Sequence, residues 1–197
     1  MTSDMSLRYN SAMLLKLTVM PIEMVDSVEW SEISKLIDGE FGEGVTKKLL
    51  GKRVPITLQK NGKRQFFLVP ANWMKLLEKI DQFEISSLGL KMGELVKERF
   101  RFSLQALDII AKTTDHKVTV SRKGAEAFTY GRSILKESVL NLQRGLEKGS
   151  RVLVISEEGD CLGVGSLTID SNKLGRLSKD KLVVKNITDV GAYVRGA

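Results

Sequence analysis

Cysteine and histidine are nearly absent from this chain of 197 residues, which contains one of each, Cys161 and His116. A lone cysteine cannot form an internal disulfide, and it cannot build a multi-thiolate zinc or iron–sulfur centre. A metal site made of paired histidines and an acid/base mechanism that uses two histidines are excluded as well. Metal sites made only of carboxylates stay open, and the cysteine usage predicts a reducing, cytoplasmic compartment.

Long hydrophobic runs are also missing. The most apolar early stretch, residues 12–20, has nine residues and is interrupted by Lys16, whereas a membrane-spanning helix needs about 20. No small-residue cleavage pattern follows this stretch, so it is not typical of a secretory signal. We therefore expect no membrane association, and we interpret residues 1–25 as an extension that precedes the first domain.

The common enzymatic motifs do not occur either: Gly-x-x-x-x-Gly-Lys-Ser/Thr, Gly-x-Ser-x-Gly, His-Glu-x-x-His and Cys-x-x-Cys are all absent. Residues 163–165 (Gly-Val-Gly) match part of a dinucleotide fingerprint, but the third glycine is missing. Glycines inside a strand are better explained as places where the strand bulges or curves sharply. We expect Cys161 to be a small buried hydrophobe, and Glu157 and Glu158 to be solvated side chains of a hairpin loop. The common enzymatic signatures are thus missing, and we expect no cofactor.

Charge is the first positive indication. The formal net charge is +7, which is compatible with an anionic partner such as nucleic acid. Residues 23–43 contain seven acidic side chains and one basic side chain, while residues 47–64 contain seven basic side chains and no acidic one. Blocks of opposite sign at this spacing predict two separate surfaces.

The first half of the chain has the pattern of an α/β domain with a mostly antiparallel sheet. Helical spacing predicts a helix over residues 28–37 with Ser27 as its cap, and Asn-Gly at 61–62 between two apolar runs predicts a β-hairpin. A second helix is expected to pack Trp73, Leu76, Leu77 and Ile80 on that hairpin. A half-buried strand near residues 100–104, a helix near 107–112 and a linker at 113–115 complete the domain, which we assign to residues 26–114.

The second half has short apolar strands with glycines between them, near residues 118–120, 152–155, 162–169 and 182–185. One short helix, near residues 125–130, follows the first of these strands. This arrangement predicts a small β-barrel or β-sandwich over residues 115–197. The expected fold class is therefore α+β.

The motifs in this half, and some before it, resemble a known family. A strand that runs through a basic turn at 122–124 into a short helix, then Leu-Gly-Val-Gly-Ser at 162–166 and the closing segment 189–195, resemble the PUA domain, an RNA-binding β-barrel. The order of several short motifs is also similar to the Nip-seven family of large-ribosomal-subunit biogenesis factors, in particular to its archaeal members. These motifs are residues 87–89, 102–108, 123–126, 128–131, 139–142 and 189–195. The resemblance implies an N-terminal α/β domain, a C-terminal PUA barrel, no catalysis, and RNA contact through basic residues of the barrel.

The candidate RNA-binding residues lie in two places. The segment before the last strand contains Lys173, Arg176, Lys179 and Lys181, which could follow a phosphate backbone or could form an ordinary solvated edge. The other candidates, around the short helix, are Arg122, Lys123, Tyr130 and Arg132. Tyr130 and Tyr193 could stack on unpaired bases, but the reading that we favour is that each fills the barrel, with its hydroxyl bonded to the backbone.

We therefore expect a monomeric, non-enzymatic factor that binds single-stranded pre-ribosomal RNA, with uridine-rich sequence as one candidate target. Ribosome-assembly proteins would be its further partners, and the nucleolus would be its location in a eukaryote. One alternative is an RNA-modifying enzyme or its accessory subunit, because PUA domains often accompany such enzymes. Another is an adaptor whose acidic and basic blocks bind two proteins.

Overall fold

A computed structural model describes residues 22–60, 63–77, 79, 85, 87–96, 99–193 and 195. The interpretation of residues 1–25 as an extension falls mostly outside this range. The elements of the first half are β1 (Ile22–Met24), α1 (Ser27–Phe41), α2 (Val45–Leu50), β2 (Arg53–Lys60), β3 (Lys63–Pro70), α3 (Met74–Leu77), β4 (Leu90–Val96), β5 (Arg99–Phe102) and α4 (Leu104–Ala111). Those of the second half are β6 (Lys117–Val120), α5 (Arg122–Thr129), β7 (Ile134–Leu135), β8 (Val139–Leu142), β9 (Arg151–Ile155), β10 (Cys161–Leu167) and β11 (Leu182–Asp189).

The first sheet is antiparallel, with strand order β1-β2-β3-β4-β5. β2 and β3 pair along their full length, from Arg53 opposite Pro70 to Lys60 opposite Lys63. The predicted hairpin is therefore confirmed, although its turn residues 61–62 lie outside the described residues.

Both faces of this sheet are covered. Along β3, Phe66 and Leu68 pack into a core formed with α1, α2 and α4, whereas Phe67 and Val69 pack into a second core with β2 and α3. Successive side chains of a strand point to opposite faces. This is why the run from Phe66 to Val69 is entirely apolar rather than alternating.

Helix α1, which lies within the acidic residues 23–43, is longer than predicted and has a different N-terminal cap. α1 begins at Ser27 after Asp26, whose carboxylate accepts hydrogen bonds from the backbone N–H groups of Val28 and Glu29 at 2.8 and 2.9 Å. The prediction of Ser27 as the cap is thus wrong by one residue. The helix passes through Gly39 and ends at Phe41, and its buried side is formed by Ile33, Ile37 and Phe41.

The helix expected after Pro70 is only partly as predicted. Residues Ala71–Trp73 form a 3₁₀ turn and α3 covers Met74–Leu77. Leu77 is buried against the hairpin, but Trp73 and Leu76 are 37% and 49% exposed, and Ile80 lies outside the described residues. The predicted core stripe is wrong for Trp73 and Leu76, because the segment is too short and too tightly wound to turn both toward the sheet.

The second sheet has the order β7-β11-β10-β9-β6-β8, antiparallel except for β6 and β9. Its two edge strands, β7 and β8, are joined only by the 3₁₀ turn Lys136–Ser138, so the sheet curls into a nearly closed barrel around a core of its own. The register of β10 shifts on both sides of Gly163 and Val164. A Cβ on Gly163 would overlap the carbonyl oxygen of Thr188, which confirms that these glycines allow a bulged, closely paired strand.

The two halves share a core. On β9, Val152 and Val154 face the barrel interior, while Leu153 and Ile155 pack into the core of α1, α2 and α4. The helices therefore lie between the first sheet and the outer face of the barrel. The observed architecture is α+β, as the sequence predicted.

The segment predicted as a linker is packed at this junction. Thr114 is 3% exposed, and its hydroxyl donates to the carbonyl of Phe41. The His116 ring nitrogen Nδ1 lies 2.8 Å from the carbonyl of Glu40, and Arg151 donates to the Glu40 carboxylate at 3.1 Å. Polar contacts thus surround the shared core and hold the end of α1 against the barrel.

Candidate nucleic-acid interface

The segment between β10 and β11 presents the basic residues predicted there. It consists of the 3₁₀ helix Ser171–Arg176 and the residues that lead into β11. All the basic side chains of this cationic loop are exposed. They are Lys173, Arg176, Lys179 and Lys181.

The cationic loop is fixed to the edge of the barrel. The backbone N–H groups of Lys136 and Glu137 donate to the carbonyls of Lys181 and Lys179 at 2.8 and 3.0 Å. The Lys136 ammonium donates to the carbonyl of Leu177 at 2.6 Å, and Leu174 and Leu177 pack against the barrel core. The backbone of the loop is therefore held on a rigid support and does not have to be ordered on binding.

The basic side chains of the cationic loop differ in whether an acidic side chain of the same protein already pairs with them. Lys173 lies 2.6 Å from the Asp170 carboxylate, and the hydrogen bond between them raises the pKa of Lys173. Arg176, Lys179 and Lys181 form no ion pair with any residue that the structure describes. Asp180 lies among them, and a hydrogen bond from Ser178 lowers its pKa, so this carboxylate stays charged and reduces the local positive field.

The start of α5 adjoins this loop. Ser121 caps the helix by accepting from the N–H of Gly124, and a Cβ on Gly124 would lie 2.7 Å from the Ser138 Cβ, so glycine permits close packing there. Lys123 lies 3.6 Å from the carboxylate of Glu137, the residue whose backbone binds Lys179. Arg122 lies 3.5 Å from Glu126. Both pairs are exposed, and exposed pairs are weak enough for a phosphate to compete with them.

Tyr130 and Arg132 lie at the other end of α5, about 12 Å away for a helix of this length. Tyr130 is 73% exposed, so the reading that it fills the barrel is wrong. Arg132 is also exposed, and its carbonyl accepts a hydrogen bond from Asn186 at 3.4 Å. Phe128 fills this part of the barrel and is fully buried, which leaves the neighbouring tyrosine at the surface. The side chain of Tyr193 lies outside the described residues.

Two features of the site were missed by sequence reasoning. Lys136 has no distinctive pattern around it, and only the fold brings its ammonium under the cationic loop. Arg195 belongs to the closing motif 189–195 and was not among the candidate RNA-binding residues, but its guanidinium donates to both oxygens of the buried Asp189 at 3.1 Å and to the carbonyl of Thr129. This arginine anchors the chain end to α5, and its charge is used internally.

Cys161 and Glu158 lie in unlike surroundings. Burial raises the pKa of the Cys161 thiol to about 11, so the thiol stays protonated near neutral pH. Glu158 is fully exposed, and backbone and Ser156 hydrogen bonds lower its pKa. Within the described part of the chain no three His, Cys, Asp or Glu side chains are grouped as metal ligands would be. No helix there is both long and apolar enough to cross a membrane.

Comparison with solved structures defines the class of fold. A hypothetical protein from Pyrococcus horikoshii superposes with a TM-score of 0.60 at 16% identity, covering 86% of this chain and 94% of that protein. A conserved PUA-domain protein from Thermoplasma acidophilum gives 0.59 at 13% identity, covering 89% and 99%. Residues 116–197 match the family described as UPF0113 PUA domain. The molecule is therefore a PUA-domain protein with an α/β domain before the barrel.

Sequence relatives are found among two named groups of proteins. A UPF0113 protein of Archaeoglobus fulgidus is 38% identical over 109 residues, which are 54% of this chain and 60% of that protein. The 60S ribosome subunit biogenesis protein nip7 of Schizosaccharomyces pombe is 29% identical over 68% of this chain and 74% of its own length. The Saccharomyces cerevisiae protein of the same name is 23% identical over 85% and 92%. The chain is thus similar in sequence to UPF0113 and NIP7 proteins, which confirms the resemblance found in its motifs.

Proposed function

We propose that this protein is a non-enzymatic RNA-binding factor that acts in assembly of the large ribosomal subunit. The observation that carries the proposal is the fixed cationic loop, whose Arg176, Lys179 and Lys181 have no acidic partner among the described residues. Free cations on a rigid edge are what binding to a phosphate backbone requires. The names of the relatives, 60S ribosome subunit biogenesis proteins, support the assignment to this process.

We further propose a division of roles within the chain. Residues 115–197 would hold single-stranded pre-ribosomal RNA, with the cationic loop and the start of α5 on its phosphates and Tyr130 stacked on a base. Residues 26–114 would engage assembly proteins. An exposed tyrosine beside the exposed Arg132 suits an unpaired strand better than a duplex, because bases of a duplex are already stacked.

The salt dependence of RNA affinity tests the loop directly. The logarithm of affinity falls with the logarithm of salt concentration by about 0.7 per phosphate contact for single strands. Replacing both Arg176 and Lys179 by alanine should therefore flatten the slope by about 1.4. Lys173→Ala should have a smaller effect, because Asp170 already neutralises Lys173. An unchanged slope in the double variant would remove the loop from the interface.

The two alternative functions, an RNA-modifying enzyme and a protein adaptor, predict different experimental results. An RNA-modifying activity would produce a modified base when RNA is incubated with the protein and S-adenosylmethionine, and we expect mass spectrometry to find none. An adaptor would retain its protein partners after ribonuclease digestion, whereas partners bridged by RNA would be lost. Retention of every partner together with an unchanged salt slope would favour the adaptor.

A further inference from the structure

A groove in the N-terminal half lies outside the surface described so far. It has a volume of about 460 Å³, within the range of about 300–1,000 Å³ that is usual for small-molecule sites. Its walls come from the start of β2, the end of β3, the start of β4, and α4. The residues that line it are Arg53, Leu68, Pro70, Trp73, Gly89, Leu90, Gln105, Asp108 and Ile109.

The groove combines an aromatic surface with polar groups. Trp73 is 37% exposed, although it follows a buried hairpin and is the kind of residue that a domain normally covers. Gln105 and Asp108 are three residues apart on α4 and therefore lie on the same face of the helix. Gly89 has a φ of +62°, and a Cβ there would overlap the carbonyl of Leu68. No residue other than glycine therefore fits this wall of the groove without strain.

The charge at the groove favours an anionic ligand. The Arg53 guanidinium donates only to the carbonyl of Leu49 at 3.2 Å and forms no ion pair within the part of the chain that the structure describes. Lys52 beside it and Lys75 on α3 are exposed. Among the described residues that line the groove, Asp108 carries the single carboxylate, and it is paired with Lys112 at 2.8 Å. The charges of the described residues around the aromatic face are thus net positive, as in proteins that bind single-stranded nucleic acid.

The groove also lies near the barrel. α4 packs against β10 through the shared core. Burial raises the pKa of Cys161 at the start of β10, and the charge of Asp108 adds to this effect. One wall of the groove, α4, is therefore in direct contact with the barrel.

We propose that this groove binds one unpaired nucleobase of the same RNA, stacked on Trp73, with Arg53 on the adjoining phosphate. The Asp108 carboxylate can only accept hydrogen bonds, and the Gln105 amide can both donate and accept. This pair suits a base with an exocyclic amino group, such as cytosine, better than uracil, which has none. The proposal rests on the RNA-binding function proposed above.

Tryptophan fluorescence tests the stacking. The chain has two tryptophans, and Trp30 packs at the margin of the shared core, so the Trp30→Phe variant leaves Trp73 as the only reporter. Oligocytidine of about ten nucleotides should quench Trp73 at saturation more strongly than oligouridine of equal length. Trp73→Ala should weaken oligocytidine binding by about 5- to 150-fold. Asp108→Asn should reduce the preference for oligocytidine over oligouridine.

Leu76→Ala is the matched control, because Leu76 is 49% exposed on the same short segment but does not line the groove. We expect it to leave RNA affinity unchanged. Unquenched Trp73 in a saturated complex, or equal losses in the Trp73 and Leu76 variants, would overturn the proposal. So would a Trp73 variant that loses a protein partner but keeps its RNA affinity. The salt slope of the Arg176 and Lys179 double variant separates failure of this groove from failure of RNA binding as a whole.

Discussion

Residues 47–64 of the N-terminal half carry seven basic side chains and residues 173–181 of the barrel carry four, and the fold uses the cations at the tip of the β2–β3 hairpin differently from those of the cationic loop. In the first, the Arg64 guanidinium binds both carboxylate oxygens of Glu29 and lies 5.4 Å from the centre of the Phe66 ring. Lys63 lies 3.9 Å from Glu94. In the second, only Lys173 among the predicted residues has an acidic partner that the structure describes.

The comparison shows that a count of charges does not measure the charge available to a ligand. The acidic and basic blocks were predicted to form separate surfaces, but the pair between Glu29 and Arg64 joins them. A hairpin places alternate side chains beside the preceding helix, where an acid can reach them. A loop at the rim of a barrel has neighbours on one side only, so its cations remain free.

Gly163→Val should have the largest effect, because the barrel cannot form its β10–β11 pairing around a side chain there. Gly163 has a φ of +142°, and a Cβ would overlap the Thr188 carbonyl. We expect a loss of about 4 kcal/mol or more in the free energy of unfolding, measured with chemical denaturant.

Gly175→Ala serves as the control for this variant. Gly175 lies in the cationic loop with nothing within 4 Å of the position of a Cβ, so its replacement should change stability little. If Gly163→Val were as stable as Gly175→Ala, the close pairing of β10 and β11 would be wrong.

Leu153→Ala should destabilise both halves together. Leu153 is fully buried, comes from the barrel strand β9, and packs into the core shared with the helices. The cavity should cost about 3 kcal/mol. Both tryptophans lie in the N-terminal half, so their fluorescence reports that half, while hydrogen exchange of β10 amides reports the barrel. A loss in the barrel without a shift in the fluorescence midpoint would contradict the shared core.

Arg64→Ala and Arg176→Ala should separate the two uses of basic charge. Arg64→Ala should lower the free energy of unfolding by about 1 kcal/mol, because it removes a half-buried bidentate pair, and should leave the salt slope of RNA binding unchanged. Arg176→Ala should reduce that slope by about 0.7 and leave stability unchanged. The same outcome for both variants would mean that the two basic segments do not differ.

The smallest expected effect is a pH dependence of the free energy of unfolding that is due to the Glu40 carboxyl at the junction of the two halves. Burial raises the pKa of its carboxyl above 4.5, and Arg151 opposes part of this rise. The folded state therefore binds the proton more tightly than the unfolded state. The stability due to this group is fully present below the unfolded pKa and is lost as pH rises through the folded pKa.

Denaturant unfolding across this pH window measures the effect. Relative to the wild type, Glu40→Gln should lose this decline, and Arg151→Ala should extend it to higher pH. Parallel wild-type and Glu40→Gln curves would show that the end of α1 is not buried against the barrel in solution.

The sequence by itself determined those elements that depend on residues close together in the chain. The β2–β3 hairpin, the barrel strands and the glycines of β10 follow from apolar runs and turn residues close together in the chain, and the family motifs located the cationic loop. Tertiary structure alone decided that β3 and β9 are buried on both faces, that Thr114 is packed and that Trp73 is exposed. It also decided which cations are paired, since Glu29 and Arg64 are 35 residues apart. The physical reason is that burial and electrostatic pairing depend on neighbours in space, which short-range patterns in the chain do not specify.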